Sequence, residues 1–120
     1  MSNPQRKAIL HPMYPEKVFE IQSDLCRAMG SPVRMEILNL LRNGPITVNQ
    51  IASATNHPQA TISRNLTILR NVDIVATQRE GTNVLYHIAN PKLMEVCDLM
   101  REVLIEQTNE LSALIAGDKE

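Results

Sequence analysis

Aromatic residues are scarce in this chain: its 120 residues include two tyrosines, one phenylalanine and no tryptophan. The core must therefore be built from Leu, Ile, Val, Met and Ala, a set that suits packed helices. Cysteine is equally scarce, because Cys26 and Cys97 are the only two and form neither a Cys-x-x-Cys motif nor a Cys/His cluster. This usage indicates a reducing compartment, so we expect a cytoplasmic protein.

Long apolar runs are also lacking. None approaches the roughly 20 residues that a membrane-spanning helix needs, so we expect no membrane partner, and the N-terminus shows no secretion signal. No nucleophile–base pair, glycine-rich phosphate loop or metal cluster can be assembled, so we expect no enzyme. The three histidines include no pair at metal-ligand spacing, and we expect His57 to cap a helix or contact phosphate.

Charge of one sign is not in excess, since 12 basic residues face 13 acidic ones. The distribution is uneven, however. Residues 1–44 carry six basic and four acidic side chains (net +2), residues 45–90 three and two (+1), and residues 91–120 three and seven (−4). Binding to phosphate requires a local basic face rather than a basic chain, so this division permits DNA binding. We interpret the acidic end as a solvated helix face.

The chain divides into an N-terminal arm (1–14), one domain (15–116) and a C-terminal tail (117–120). Prolines interrupt the arm, which shows no periodicity and is expected to be extended. Beyond it, apolar residues recur every three or four positions and predict a first helix that Gly30 ends. Ser31-Pro32 then begins a second helix, because Ser is a good N-cap and Pro is favoured in the first turn.

A helix-turn-helix is predicted between Thr47 and Leu69. Thr47 and Gln50 fit a capping box, in which each side chain accepts a hydrogen bond from the other's backbone N–H. A turn at Asn56-His57-Pro58 leads into a helix over about residues 59–71, the recognition helix of such a motif. Its inward positions recur at i, i+4 and i+7 and hold Ile62, Leu66 and Leu69.

Strand signals are confined to short segments. Pro45-Ile46 allows one bridging strand, and the alternation over residues 74–88, with a turn at residues 80–83, predicts a hairpin, the wing. An apolar stripe from Leu93 to Ile115 then predicts a single last helix, whose exposed stripe indicates a second copy of the chain as partner. The predicted fold is thus mainly α with a small β-hairpin: a winged helix-turn-helix in the order helix, helix, strand, helix, helix, strand, strand, helix.

With this order, the segments DLCRAMGSPVRMEILNLL, TISRNLTILRN and REGTNVLYHIAN resemble the ArsR/SmtB family of winged-helix repressors over about residues 16–116. The Ser-Pro-x-Arg start of the second helix and the Ser-Arg-x-Leu-x-x-Leu-Arg recognition helix are the most specific parts. The resemblance implies a cytoplasmic homodimer, paired through its first and last helices, that binds operator DNA. Many such proteins release DNA when they bind a metal ion or when a thiol is oxidised.

Three effector sites of that family are missing from this sequence. The metalloid site uses a Cys-x-Cys at the third helix, where this chain has IASATNH. The zinc site uses Asp and His on the last helix, which here has Asp98 but no His. The persulfide site uses a cysteine in the second helix, which here has none. None of these sites is carried over.

The outward face of the predicted recognition helix and the wing tip point to DNA. Arg64 suits a bidentate contact with guanine and Gln59 one with adenine, while hydroxyl side chains and the helix N-terminus suit phosphate. The wing residues around Gly81 suit the minor groove or its phosphates. Arg70 lies to the side and is interpreted as a structural ion-pair partner. The alternative is a set of ordinary exposed polar residues. We predict DNA contacts from Gln59, Ala60, Thr61, Ser63, Arg64, Thr67, Arg79, Thr82 and Asn83.

Cys26 and Cys97 are the only hint of an effector, and no cofactor is indicated with certainty. The resemblance places both on helices that pack together at the dimer interface. A dithiol there would respond to oxidation or polysulfide, or would bind a soft metal or metalloid with help from Asp24 or Asp98. The alternative is structural, because buried free cysteine behaves as a small hydrophobe.

We therefore expect a sequence-specific transcriptional regulator, a dimeric repressor that an effector releases from double-stranded operator DNA. One alternative is a constitutive regulator without a ligand, controlled by its abundance. The other is a winged-helix module for protein–protein interaction without DNA. Outward Arg64, Gln59 and Arg79 argue against it, because a protein-binding surface favours apolar anchors. Ile68, which tends outward, favours it.

Overall fold

A computed structural model describes residues 13–117 of the chain. Most of the predicted arm (1–14) and most of the predicted tail (117–120) therefore lie outside the described residues. The described chain forms six helices and a two-stranded sheet. In order these are α1 (Glu16–Met29), α2 (Pro32–Leu41), α3 (Val48–Thr55), α4 (Gln59–Asn71), β1 (Val75–Glu80), β2 (Asn83–Ile88), α5 (Lys92–Gln107) and α6 (Asn109–Ala116).

The predicted helix starts are confirmed by their caps. The Ser31 side chain accepts a hydrogen bond from the backbone N–H of Arg34, with Pro32 in the first turn of α2. Thr47 and Gln50 form both bonds of the capping box. The backbone nitrogen of Thr47 lies 2.9 Å from Oε1 of Gln50, and that of Gln50 lies 3.2 Å from Oγ1 of Thr47. Gly30 ends α1 as expected, although its φ of −84° is not left-handed. Local polar side chains thus determine where α2 and α3 begin.

The core is aliphatic and centres on α4, which contacts α1, α2, α3 and β1. The predicted inward stripe is confirmed, because Ile62, Leu66 and Leu69 are all 0% exposed. No polar or charged residue is fully buried within residues 13–117. Around the stripe lie the other buried residues: Ala28, Met29, Ile37, Leu38, Leu41, Ile51, Ile74, Val75 and Cys97.

The wing is confirmed as an antiparallel hairpin, in register from Val75 opposite Ile88 to Glu80 opposite Asn83. Gly81 at its tip has φ +63°, a left-handed conformation that glycine adopts without strain. The predicted strand at Pro45-Ile46 is wrong. Ile46 makes only an isolated bridge with Tyr86, through two hydrogen bonds of 2.8 and 3.1 Å. The ladder stops there because proline has no N–H to donate and the α3 cap follows at once.

The prediction of a single last helix from the apolar stripe is also wrong, because the helix breaks at Thr108. That residue is extended, with φ −129° and ψ 128°, and its side chain accepts a hydrogen bond from the N–H of Leu111 and so caps α6. Its hydroxyl also lies 3.1 Å from the carbonyl oxygen of Leu104. The break leaves Leu111 and Ile115 lining an apolar cavity shared with α2 and α5.

An ion pair joins the end of α2 to α5. The Arg42 guanidinium donates to both carboxylate oxygens of Asp98, at 2.8 and 3.1 Å. These hydrogen bonds hold the pKa of the Asp98 carboxyl below its ordinary value. The pair crosses between α2 and α5, whose facing side chains line one apolar cavity, so it adds direction to that contact.

Apolar side chains on α1 and α5 remain without cover. Phe19 and Ile21 on α1, and Val96, Leu99 and Val103 on α5, are all about half exposed or more. No helix within residues 13–117 is long and apolar enough to cross a membrane. A surface of this kind is typical of an interaction site.

We predict that Leu66→Ala lowers the free energy of unfolding by about 2–5 kcal/mol, because it opens a cavity in a fully buried stripe. Ile68→Ala, on the same helix but 37% exposed, should cost no more than about 1 kcal/mol. Urea unfolding followed by circular dichroism, at one fixed protein concentration, measures both. Equal costs would show that α4 is not anchored through the Ile62–Leu66–Leu69 stripe.

Candidate nucleic-acid interface

The turn between α3 and α4 sets the angle at which α4 begins. Asn56 adopts φ 61° and ψ 25°, a left-handed conformation that Asn tolerates better than most residues. Pro58 stands directly before the first helical residue. His57, between them, places its Nε2 2.9 Å from Oε1 of Glu36 on α2. The expectation that His57 caps α4 is therefore wrong, because its ring pairs with a carboxylate of α2 and α4 has no side-chain cap. The other expectation, that His57 contacts phosphate, stays a prediction.

The inner face of α4 is sealed against the core, so its outer face is left for binding. Among the described residues, the Arg64 guanidinium has neither a hydrogen bond nor an ion pair. The Thr67 hydroxyl donates to the carbonyl oxygen of Ser63 at 3.0 Å, which leaves its lone pairs free to accept. Thr61 is half-buried, whereas the exposed predicted residues of α4 are Gln59, Ala60, Ser63, Arg64 and Thr67.

A polar bridge behind α4 is a feature that the sequence analysis missed. Arg34 of α2 donates from Nη1 to Oδ1 of Asn65 at 3.0 Å, and from Nε to the carbonyl oxygen of Ala28 on α1. Asn65 in turn donates from Nδ2 to the carbonyl oxygen of Thr61 at 2.8 Å. The sequence does single out Arg34, as part of the Ser-Pro-x-Arg segment, but residue spacing alone did not reveal which residues Arg34 contacts.

The wing places the remaining predicted residues at an exposed tip. Arg79, Thr82 and Asn83 are all exposed, and β1 packs against α4. Neither Arg79 nor Arg70 has an ion-pair partner in the described part of the chain. The structural ion pair expected for Arg70 is thus missing among these residues. Arg64, Arg70 and Arg79 thus present positive charge that no acidic side chain of residues 13–117 pairs.

Residues 31–77 match the family model described as bacterial regulatory protein, arsR family. Over 86 residues the chain is 36% identical to an uncharacterised HTH-type transcriptional regulator of Methanocaldococcus jannaschii, covering 71% of this chain and 97% of that relative. This chain belongs to the ArsR family. It is also 31% identical over 87 residues to the HTH-type transcriptional regulator NmtR of Mycobacterium tuberculosis, with 72% of each covered.

A solved structure places this ArsR-family regulator among winged helices. It superimposes with a TM-score of 0.70 on the solution structure of the homodimeric winged helix-turn-helix DNA-binding domain of Mb0332 from Mycobacterium bovis. The two are 26% identical, and the match covers 82% of this chain and 96% of the other. The predicted fold class is confirmed, apart from the corrections at Ile46 and Thr108.

The two cysteines of the ArsR-family chain lie in different surroundings. Cys97 is 7% exposed and lines the cavity of about 260 Å³ between α2, α5 and α6. Burial raises the pKa of the Cys97 thiol, which keeps it protonated and less nucleophilic. Cys26 is exposed and lines a separate depression with Phe19 and Arg27. The described chain does not bring the two thiols into one pocket.

The carboxylates that a metal site would recruit are already paired with arginines. Oδ1 of Asp24 lies 2.8 Å from Nη1 of Arg27, and the Asp98 carboxylate is paired with the Arg42 guanidinium. Within residues 13–117, no group of three or more His, Cys, Asp or Glu side chains is placed to hold a metal ion.

We predict that Cys26 reacts with a thiol reagent at least about tenfold faster than Cys97, because only Cys26 is exposed and the raised pKa of Cys97 lowers its thiolate fraction. Ellman's reagent on Cys26→Ser and Cys97→Ser measures each thiol by itself. Both variants should react at similar rates in urea, which serves as the control. Equal rates in the native proteins would contradict the burial of Cys97.

Proposed function

We propose that this regulator is a cytoplasmic homodimer that represses transcription by binding a specific operator in double-stranded DNA. The observation that carries the proposal is the two-faced α4. Its inner stripe is fully buried, and its outer face presents Arg64, which has no partner among the described residues, beside short polar side chains. A helix held in this way behind a tight turn suits the major groove, which admits one α-helix.

Each predicted residue receives a role from its position. Arg64 contacts the O6 and N7 of a guanine, and Gln59 the N6 and N7 of an adenine. Thr61 and Ser63 contact phosphate near the N-terminus of α4, where the helix dipole favours an anion. Ala60 and Thr67 border the groove. In the wing, Arg79, Thr82 and Asn83 contact the minor groove or its phosphates.

The dimer is supported by the uncovered apolar faces of α1 and α5 and by the homodimeric neighbour from M. bovis. A two-fold interface uses the same patch on both subunits, so a second copy covers Phe19, Ile21 and Leu99 together. A two-fold dimer presents two copies of α4. The operator should therefore consist of two inverted half-sites.

We predict that Arg64→Ala weakens operator binding by about 1–3 kcal/mol, roughly 5- to 150-fold, because the bidentate contact to guanine is lost. Arg64→Lys is the matched control: it keeps the charge but not the planar fork, so it should lose specificity while keeping its affinity for random DNA. Fluorescence anisotropy with the DNA upstream of the gene, at one fixed salt concentration, measures both.

Two outcomes would count against these assignments. Unchanged operator affinity in Arg64→Ala would remove the base-reading role of Arg64. Absence of any preference of the wild type for its upstream DNA over random DNA would remove the operator-binding proposal itself. It would also leave the protein–protein module as the better explanation of the exposed Ile68.

Release by an effector is the finer part of the proposal. Cys26 is the exposed thiol of the single chain, whereas Cys97 is buried and that burial raises the pKa of its thiol. A thiol-based or metalloid response would therefore begin at Cys26. The same DNA titration after treatment with polysulfide or arsenite distinguishes a sensing from a structural role of the cysteines. Operator binding that is lost in the wild type but kept in Cys26→Ser supports sensing. Operator binding that is unchanged in both proteins assigns structural roles to the cysteines.

A further inference from the structure

We propose that Arg34 is a positioning residue for operator recognition. Its guanidinium joins the C-terminal end of α1 to Asn65 on α4 and so sets the rotation of α4 about its own axis. The inference rests on the proposed operator binding. Because α1 is also part of the proposed dimer surface, the same bridge links subunit pairing to the placement of α4.

The first half of the bridge caps α1. Nε of Arg34 donates to the carbonyl oxygen of Ala28, which lies in the last turn of α1, where carbonyls lack partners within the helix. Positive charge is favourable at that end of a helix dipole. Arg34 itself is held in place, because its backbone N–H is bound by the Ser31 cap. Hydrogen bonds therefore hold both the backbone and the guanidinium of Arg34.

The second half of the bridge locks Asn65. The Oδ1 of Asn65 accepts from Nη1 of Arg34 at 3.0 Å, while its Nδ2 donates to the carbonyl oxygen of Thr61 at 2.8 Å. Both ends of the amide are thus used, and an inverted amide would set its NH₂ against the guanidinium. All three residues are half-buried, where hydrogen bonds are stronger than at the surface.

The position of Asn65 makes the bridge relevant to DNA. Asn65 follows Arg64 directly, and successive residues of a helix are about 100° apart around its axis. Aliphatic contacts are non-directional, so the buried stripe of α4 holds the helix against the core but tolerates some rotation. Hydrogen bonds are directional, and productive sites need their side chains within about 0.5 Å and 10–20°. A rotation of α4 would displace Arg64 from its base.

The chain offers a matched control in a second arginine bridge. Arg42, at the other end of α2, donates to Asp98 on α5 at 2.8 and 3.1 Å. It has similar chemistry and also joins two helices, but neither residue lies on α4. A purely stabilising role for arginine bridges would make the two pairs behave alike. A positioning role for Arg34 would make only the Arg34–Asn65 pair affect operator affinity.

The test is a pair of double-mutant cycles. The first uses Arg34→Gln, Asn65→Ala and the double variant, each measured for operator affinity, random-DNA affinity and urea midpoint. We expect each single change to weaken operator binding about tenfold and random-DNA binding by less than about twofold, with the double variant no worse than either single one. Arg34→Lys keeps the charge but cannot reach both acceptors, and should behave like Arg34→Gln.

The control cycle uses Arg42→Gln and Asp98→Asn, with dimer retention checked by light scattering. We expect coupling in the urea midpoint and operator affinity within about twofold of wild type.

Additive Arg34 and Asn65 effects, or equal losses on operator and random DNA, would overturn the inference and make Arg34 a stabilising residue. If Arg34→Gln does not fold, Arg34→Lys and Asn65→Ala decide. Failure of the wild type to prefer its operator would instead defeat the proposed function.

Discussion

The buried stripe of α4 is the constraint on which the rest of the structure depends. Ile62, Leu66 and Leu69 are withdrawn completely from solvent, and α1, α2, α3 and β1 are the elements that cover them. Because the stripe can face only inward, the residues on the opposite side of the same helix must face outward. The surface offered to a nucleic acid is thus a consequence of core packing, and Arg64 is exposed because Leu66 is not.

Polar contacts add the direction that this aliphatic core lacks. The core contains no fully buried polar side chain among the described residues, so orientation comes from half-buried and exposed bridges at its edge. Three of them involve α2: Arg34 with Asn65, Glu36 with His57, and Arg42 with Asp98. The second helix therefore serves as the frame to which α4, its preceding turn and α5 are each attached by a specific hydrogen bond.

This sequence lacks the three effector sites of the family, so the proposed effector response would have to use other residues. The two thiols are separated by exposure as well as by position, and the neighbouring carboxylates are paired with arginines. Helix α1 is connected with α4 by direct packing and, at its C-terminal end, by the Arg34 bridge. In its proposed positioning role, the Arg34 bridge would connect a change at α1, which carries the exposed thiol, with α4 through two hydrogen bonds.

The sequence by itself determined several features that rest on neighbouring residues: the caps at Ser31 and Thr47, the inward period of α4, the hairpin and the outward Arg64. Capping and periodicity are local, so they can be derived from residue order. The break at Thr108 also rests on a local cap, but the apolar stripe that continues across it hid that cap from the periodicity. Tertiary structure decided the single bridge at Ile46. It also decided that Arg34 meets Asn65, because contacts between residues 31 positions apart depend on how helices pack, which periodicity does not encode.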